Sequence, residues 1–248
     1  MAIYGPDDVL VLLDGYDLGD DLFEISPIDI GLLSDEGRGF GDSWSELQSI
    51  GVKNFTCGFK GRYNDAALRS NAALITQLGS NRVFAVGLEG NTKGKKIVVA
   101  QPAQAKYGRI PAIDGLTKVS VDFAGRDRIE DMTILQILQA ASAAGATPSG
   151  STDNAAGTSN GGRALIMITS LTLGGYTSLT VNLQESQNDG GGDPYATKVA
   201  LATAVTAAPF AAVVPMTGTI ERWLRASLTW NGAGSGQSVT LLVAAIRD

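Results

Sequence analysis

Residues 53–63, KNFTCGFKGRY, place Phe55, Cys57, Phe59 and Tyr63 on one face and Asn54, Thr56, Lys60 and Arg62 on the other. A period of two is that of a strand with one covered face. Leu116 to Phe123 repeats the pattern, with Val119, Val121 and Phe123 opposed by Lys118, Ser120 and Asp122. Val9–Leu13, Arg82–Leu88 and Ile97–Tyr107 read as further strands. Between them, Leu68, Ala72, Ile75 and Leu78 form an apolar stripe at helical spacing, with Asn64 or Asp65 to cap it and Gly79 to end it.

Past residue 162 every readable segment is a strand. Leu179, Val181 and Leu183 alternate with Ser178, Thr180, Asn182 and Gln184, and Leu224, Ala226, Leu228 and Trp230 alternate with Trp223, Arg225, Ser227 and Thr229. Val239, Leu241, Val243 and Ala245 close the set, after strands at 164–169, 197–206 and 211–217. The stretch 140–162, AASAAGATPSGSTDNAAGTSNGG, has no large apolar residue and no period, the composition of a flexible linker. The expected chain is mainly β. A sandwich or split barrel with one α-helix spans 1–139, a linker 140–162, and a jelly-roll or immunoglobulin-like sandwich 163–248. A chain stopped within Ala141 to Gly161 should still assemble with further copies, because such a linker decouples the second sandwich from the first domain.

Composition narrows the chemistry. The 248 residues contain no histidine and one cysteine, Cys57. That removes the commonest general base and metal ligand, every Ser-His or Cys-His nucleophile and any disulfide framework. The expectation is a non-enzyme with no cofactor and no metal. No apolar run approaches the roughly 20 residues of a membrane-spanning helix, and no basic start precedes the first apolar run, so no export signal is expected.

Net charge is −6, unevenly spread. Residues 1–46 hold 12 acids against Arg38, a net −11, whereas 47–139 carry +6 and 140–248 carry −1. Both charged regions can be solvated faces. The alternative is a bipolar subunit whose acidic part meets the basic part of a neighbour, a heterologous contact that builds rings or stacks.

Several short motifs invite a catalytic reading and fail it. GTSNG at 157–161 matches a nucleophile elbow but sits in the linker without a histidine. GNTKGKK at 90–96 lacks the first glycine and the Ser or Thr of a phosphate loop, and reads as a basic hairpin tip. DGYDLGDD at 14–21 and NDGGGDP at 188–194 lack the spacing of a calcium loop, and turn chemistry accounts for them. Cys57 reads as a small buried hydrophobe. Trp223 opposes its strand's apolar face, so it is either covered by a loop or offered to a partner.

Taken in order, VLLDGYDL, then ISPIDIGLLSDEGRGFGDSWSELQSIGVKNFTCGFKGRYND, DAALRSNAALITQLGS and KVSVDFAGRD resemble the major tail protein family of long-tailed, siphovirus-type bacteriophages. GGRALIMITSLTLGGYTSLTVNLQESQND and the segment from Gly218 to Asp248 are similar to the accessory sandwich some of these proteins carry. The resemblance covers most of the chain. It implies a tail-tube-like domain at 1–139 with an outer decoration domain, and subunits that assemble, commonly as six, into stacked rings that conduct DNA. Implied partners are further copies of the chain, the tape measure, terminator and distal tail proteins, and genomic DNA passing without sequence-specific binding. The implied location is the virion tail, after synthesis in the host cytoplasm.

On that reading the loop 37–51 is a hairpin tip that contacts the next ring. Gly37, Phe40, Asp42, Trp44, Glu46 and Leu47 are its candidate contacts, with Trp44 as anchor. Tyr176, Tyr195 and Trp223 are candidate contacts of the outer domain. Two other classes compete. One is a virion surface or head-decoration protein whose second sandwich binds capsid or host envelope. The other is a carboxylate-based glycosidase, for which residues 1–46 offer acids but no aromatic-lined cleft.

Overall fold

The structure, a computed structural model, describes residues 9–37, 46–75, 78–111, 115, 117–125 and 128–248, with side chains except at 30–37 and 46–55. The fold is mainly β. The early strands are β1 (Leu10–Leu13), β2 (Tyr16–Asp17), β3 (Leu22–Ile25), β4 (Asp29–Gly37) and β5 (Glu46–Arg62). After helix α1 (Ser70–Leu74) come β6 (Phe84–Gly87), β7 (Lys96–Ala100), β8 (Ala103–Ile110), β9 (Lys118–Gly125) and β10 (Glu130–Ala141). Two short strands, β11 (Gly145–Ala146) and β12 (Thr152–Asp153), precede β13 (Gly162–Thr172), β14 (Ser178–Ser186) and β15 (Ala196–Val205). β16 (Phe210–Met216), β17 (Trp223–Asn231) and β18 (Ser238–Arg247) complete the chain.

By packing, these elements form two compact units that the chain enters alternately. Unit 1 holds residues 1–19, 83–99 and 130–248, and unit 2 holds 20–82 and 100–129. The division expected at 139 and 163 does not coincide with this one. In unit 1, an eight-stranded sheet of order β16-β13-β18-β10-β7-β6-β1-β2 mixes strands from both halves of the sequence. A second sheet, β11-β17-β14-β15 with β12 also on β17, lies in the same unit.

The reason is legible in β13 and β18, whose sequences GRALIMITSLT and SVTLLVAAIR are nearly continuous apolar runs rather than alternations. Such strands are buried on both faces. Ala164, Ile166, Ile168, Leu241 and Val243 join Leu179, Val181, Leu183, Leu224 and Leu228 of the second sheet in one core. Leu165, Met167, Leu242 and Ala244 face the other way, into a second core with Leu10, Leu12, Ile97, Met132 and Ile134.

The segment 140–162 is therefore not a free linker. Ala141 is buried, β11 and β12 pair with β17, Thr147 N donates to Ala226 O at 3.0 Å, and Thr158 and Ile220 bond each other reciprocally at 2.8 Å. Small polar residues suit such a segment because it follows another sheet's edge closely, bonding through its backbone and through short side chains such as Ser151 and Asp153. In the eight-stranded sheet the Asp14-Gly15 turn, which joins β1 and β2 at one end, packs on β13 and β16 at the other. A Cβ on Gly15, whose φ is +84°, would lie 2.6 Å from Ile168 O and 2.7 Å from Phe210 N.

Unit 2 is a five-stranded sheet of order β3-β5-β9-β8, with β4 also on β5. Its inner face carries Cys57, Phe59, Val119, Val121 and Phe123, as the alternation predicts. Phe59 and Phe123 meet edge to face with centroids 5.5 Å apart. The helix departs from expectation. It spans five residues, Ser70–Leu74, and buries Ser70, Ala73 and Leu74, while Leu68, Ile75 and Leu78 of the expected stripe are exposed. Leu68 has φ +64°, outside helical space. Neither Asn64 nor Asp65 caps the helix. The Asp21 carboxylate, from before β3, accepts from Ser70 N at 3.0 Å and from Asn64 Nδ2 at 3.0 Å. At the other end the buried Arg82 donates to Ala73 O at 2.8 Å and to Gln104 Oε1 at 2.7 Å, and Gln104 Nε2 donates to Leu74 O. One turn of helix is thus fixed at both ends by distant side chains, which supply what its short length cannot.

Candidate functional site

The longest strand, β5, has two parts. From Phe55 to Arg62 it lies between β9 on one side and β3 or the start of β4 on the other. From Glu46 to Asn54 its ladder partner among the described residues is β4 alone. The two strands run on together as a ribbon, from Gly31 opposite Asn54 to Gly37 opposite Glu46, with a register shift between Leu32 and Ser34. That part of β5 reaches roughly 30 Å when extended.

The root of the ribbon is rigid, since Cys57 and Phe59 anchor the same strand in the unit 2 core. Burial pushes the Cys57 thiol up to about 11. Beyond the root, a two-stranded ribbon is marginal by itself and offers a row of unpaired N–H and C=O groups along each outer edge. An open edge of that kind can pair with a strand of another chain.

Of the expected loop contacts, Gly37 and Glu46 are register partners at the described end of the ribbon, and Leu47 lies opposite Glu36. Phe40, Asp42 and Trp44 lie outside the described residues. The three candidate contacts of the second half separate. Tyr176 packs against the buried Trp230, with ring centroids 5.9 Å apart, at the margin of the inter-sheet core. Trp223 and Arg225 lie on the opposite, outward face of β17, and the Arg225 guanidinium stacks 3.7 Å from the Tyr195 ring. Tyr195 donates to Asp189 Oδ1 at 2.6 Å, and so does Ser151 Oγ at 2.6 Å. Those two hydroxyls hold the Asp189 carboxyl below its usual range. Arg222 lies 5.5 Å from the Trp223 ring and is itself paired with Asp153. Tyr195 and Trp223 therefore share a polar face, and Tyr176 does not join them.

The remaining motifs take structural roles. Val83 N donates to Asp14 Oδ1 at 2.6 Å and Gly19 N to Asp17 Oδ1 at 3.1 Å, so the first acidic turn holds backbone. In the second, Asp193 accepts from Gln187 N at 2.7 Å and Asn188 Oδ1 from Asp193 N at 3.0 Å. Lys95 pairs with Glu89 at 2.9 Å and Lys93 donates to the carbonyls of Ser149 and Ser151. Among the described residues no group of three or more His, Cys, Asp or Glu side chains is placed to hold a metal ion. No helix there is long and apolar enough to cross a membrane.

No protein-family model matches the chain, and no curated protein does. Among solved structures it is similar to the tail of an empty gene transfer agent particle refined helically with C6 symmetry. That likeness has 19% identity and a TM-score of 0.39, over 52% of this chain and 98% of that one. It is also similar to the Dit protein of phage SPP1, at 10% identity and a TM-score of 0.31, over 96% and 99% of the two chains. A third likeness is to the baseplate of phage p2, at 8% identity and a TM-score of 0.30, over 97% and 98%. Likenesses this distant leave the function to be argued from the chain's own residues.

Proposed function

We propose that the chain is a non-enzymatic structural subunit of a phage tail, and more specifically a tube subunit that assembles with further copies into stacked rings around a DNA conduit. The β4–β5 ribbon carries this reading. Its root is fixed in a packed sheet, the outer edges of its outer part carry no further strand among the described residues, and such a ribbon becomes stable when a neighbouring chain covers it. The ordered resemblance to major tail proteins supports the same reading and supplies the ring of six, the tail proteins as partners and the virion as location. The absence of histidine from the sequence supports a role without catalysis.

Negative-stain electron microscopy and mass photometry over a concentration series test it. The wild-type chain is expected to give open-centred rings or tubes. A variant with residues 31–54 replaced by a short Gly-Ser turn is expected to stay folded and monomeric. Equal assembly by both chains would remove the ribbon from the contact. A wild-type chain that stays monomeric and binds capsids or envelope preparations would move the reading to a decoration protein.

A further inference from the structure

The outward face of the unit 2 sheet is organised in rows across β5, β9 and β8. Register places Gly58, Asp122 and Lys106 in one row, Lys60, Ser120 and Gly108 in the next, and Arg62, Lys118 and Ile110 in the last. Charge is matched in the first two. Lys106 Nζ lies 3.9 Å from Asp122 Oδ2, and Lys60 donates at 2.6 Å to Glu24, its register partner on β3.

The last row breaks the pattern. Arg62 and Lys118 are exposed and directly opposite one another, and among the described residues no carboxylate forms an ion pair with either. Ile110, opposite Lys118 on the edge strand, is 53% exposed. Like charges directly opposite in a ladder are unfavourable, and an anion brought to the row relieves them. The methylene stems beside Ile110 give that anion's carrier an apolar floor.

We propose that the Arg62–Lys118–Ile110 row is a docking surface for a second copy of this chain, and that it receives the acidic arms of that copy's β4–β5 ribbon. The inference rests on the assembly reading above and names its acceptor. Complementary charge is what commits the row to this occupant. The first 46 residues carry 12 acids against one base, and Asp35, Glu36 and Glu46 stand at the described end of the ribbon, opposite Gln48, Leu47 and Gly37. Donor and acceptor are different parts of one subunit, so the contact is heterologous and passes from copy to copy. Exposed charge pairs of this kind set register and association rate and weaken with salt.

The test is a charge exchange in the full-length chain, read as the critical concentration for assembly by mass photometry and microscopy. Wild-type assembly is expected to weaken between about 50 mM and about 500 mM salt. R62E/K118E and D35K/E46K, the latter two positions on one face of the ribbon by register, are each expected to raise the critical concentration about tenfold or more at low salt. The quadruple variant is expected to recover most of the loss. R62E alone is a control for folding, because it places opposite charges across the ladder. Its melting temperature is expected to hold or rise while its assembly weakens. Unchanged assembly of R62E/K118E, or a quadruple variant no better than either double, overturns the docking surface and leaves the tube reading standing. A wild-type chain that never assembles overturns both.

Discussion

Leu165 and Ile166 are consecutive on β13, both fully buried, and they lie in different cores. Ile166 packs between the two sheets of unit 1, and Leu165 packs with Leu10, Ile97 and Met132 from the first half of the chain. A strand shared in this way ties the early strands to the late ones. A chain ending within 141–161 would lose β13 and β18 and expose the β10 edge. It is therefore expected to lose cooperative unfolding and to be digested quickly by protease, the reverse of what a free linker implies. Persistent amide protection at Leu12 and Ile97 in the shortened chain would show that the early strands need no partner from the late half.

Arg82 is 1% exposed and serves the end of α1. Replacing it with Met leaves Ala73 O and Gln104 Oε1 without that donor. The expected cost is about 3 kcal/mol, read from the urea midpoint. Asp21→Ala, at the other end of the helix, is expected to cost about 1 kcal/mol. A change below a few tenths in both would show that the helix is held by its packing alone.

Gly15 combines a left-handed conformation with close backbone neighbours on β13 and β16. Gly15→Ala is expected to lower stability by about 2 kcal/mol or more, since both backbone strain and a steric clash oppose the added methyl. Calorimetry measures this as a fall in melting temperature, and an unchanged melting point would mean the turn can move away from Phe210 freely.

Asp153 is held down from 3.8 to about 2, first by its hydrogen bond with Arg222. A carboxyl depressed in the folded state contributes stability above its unfolded value and loses that contribution as pH falls toward the folded value. The loss is expected between about pH 4 and about pH 2. In a carboxyl-resolved NMR titration, Arg222→Gln is expected to return Asp153 toward the ordinary range. An unmoved titration in that variant would assign the shift to another group.

Cys57 behaves in the opposite sense. Its thiol is raised from 9.0 to about 11 by burial, so the folded chain keeps a proton that the unfolded chain releases. Its contribution is complete below about pH 9 and falls as pH rises from there toward about 11. Ellman's reagent at about pH 8 is expected to label the native thiol slowly and the denatured thiol at once. Rapid native labelling would place Cys57 in an open site.

Alternation along the sequence determined the covered faces of β9, β14, β17 and the 56–62 part of β5, because a period of two records which side of a strand meets apolar neighbours. Composition likewise determined that no histidine chemistry is available, and Asp14-Gly15 marked a turn. Only the tertiary structure decided which strands share a sheet. β10 pairs with both β7 and β18, and β13 and β18 face two cores at once, relations that a local period does not encode. It also decided the helix, whose apparent apolar stripe at Leu68, Ile75 and Leu78 yielded to anchors from Asp21 and Arg82. The segment 140–162 has a linker's composition and a bound conformation for the same reason. Hydrogen bonds to a distant strand and scattered side-chain contacts such as Asp153 with Arg222 fix it, and none of these leaves a local period in the sequence.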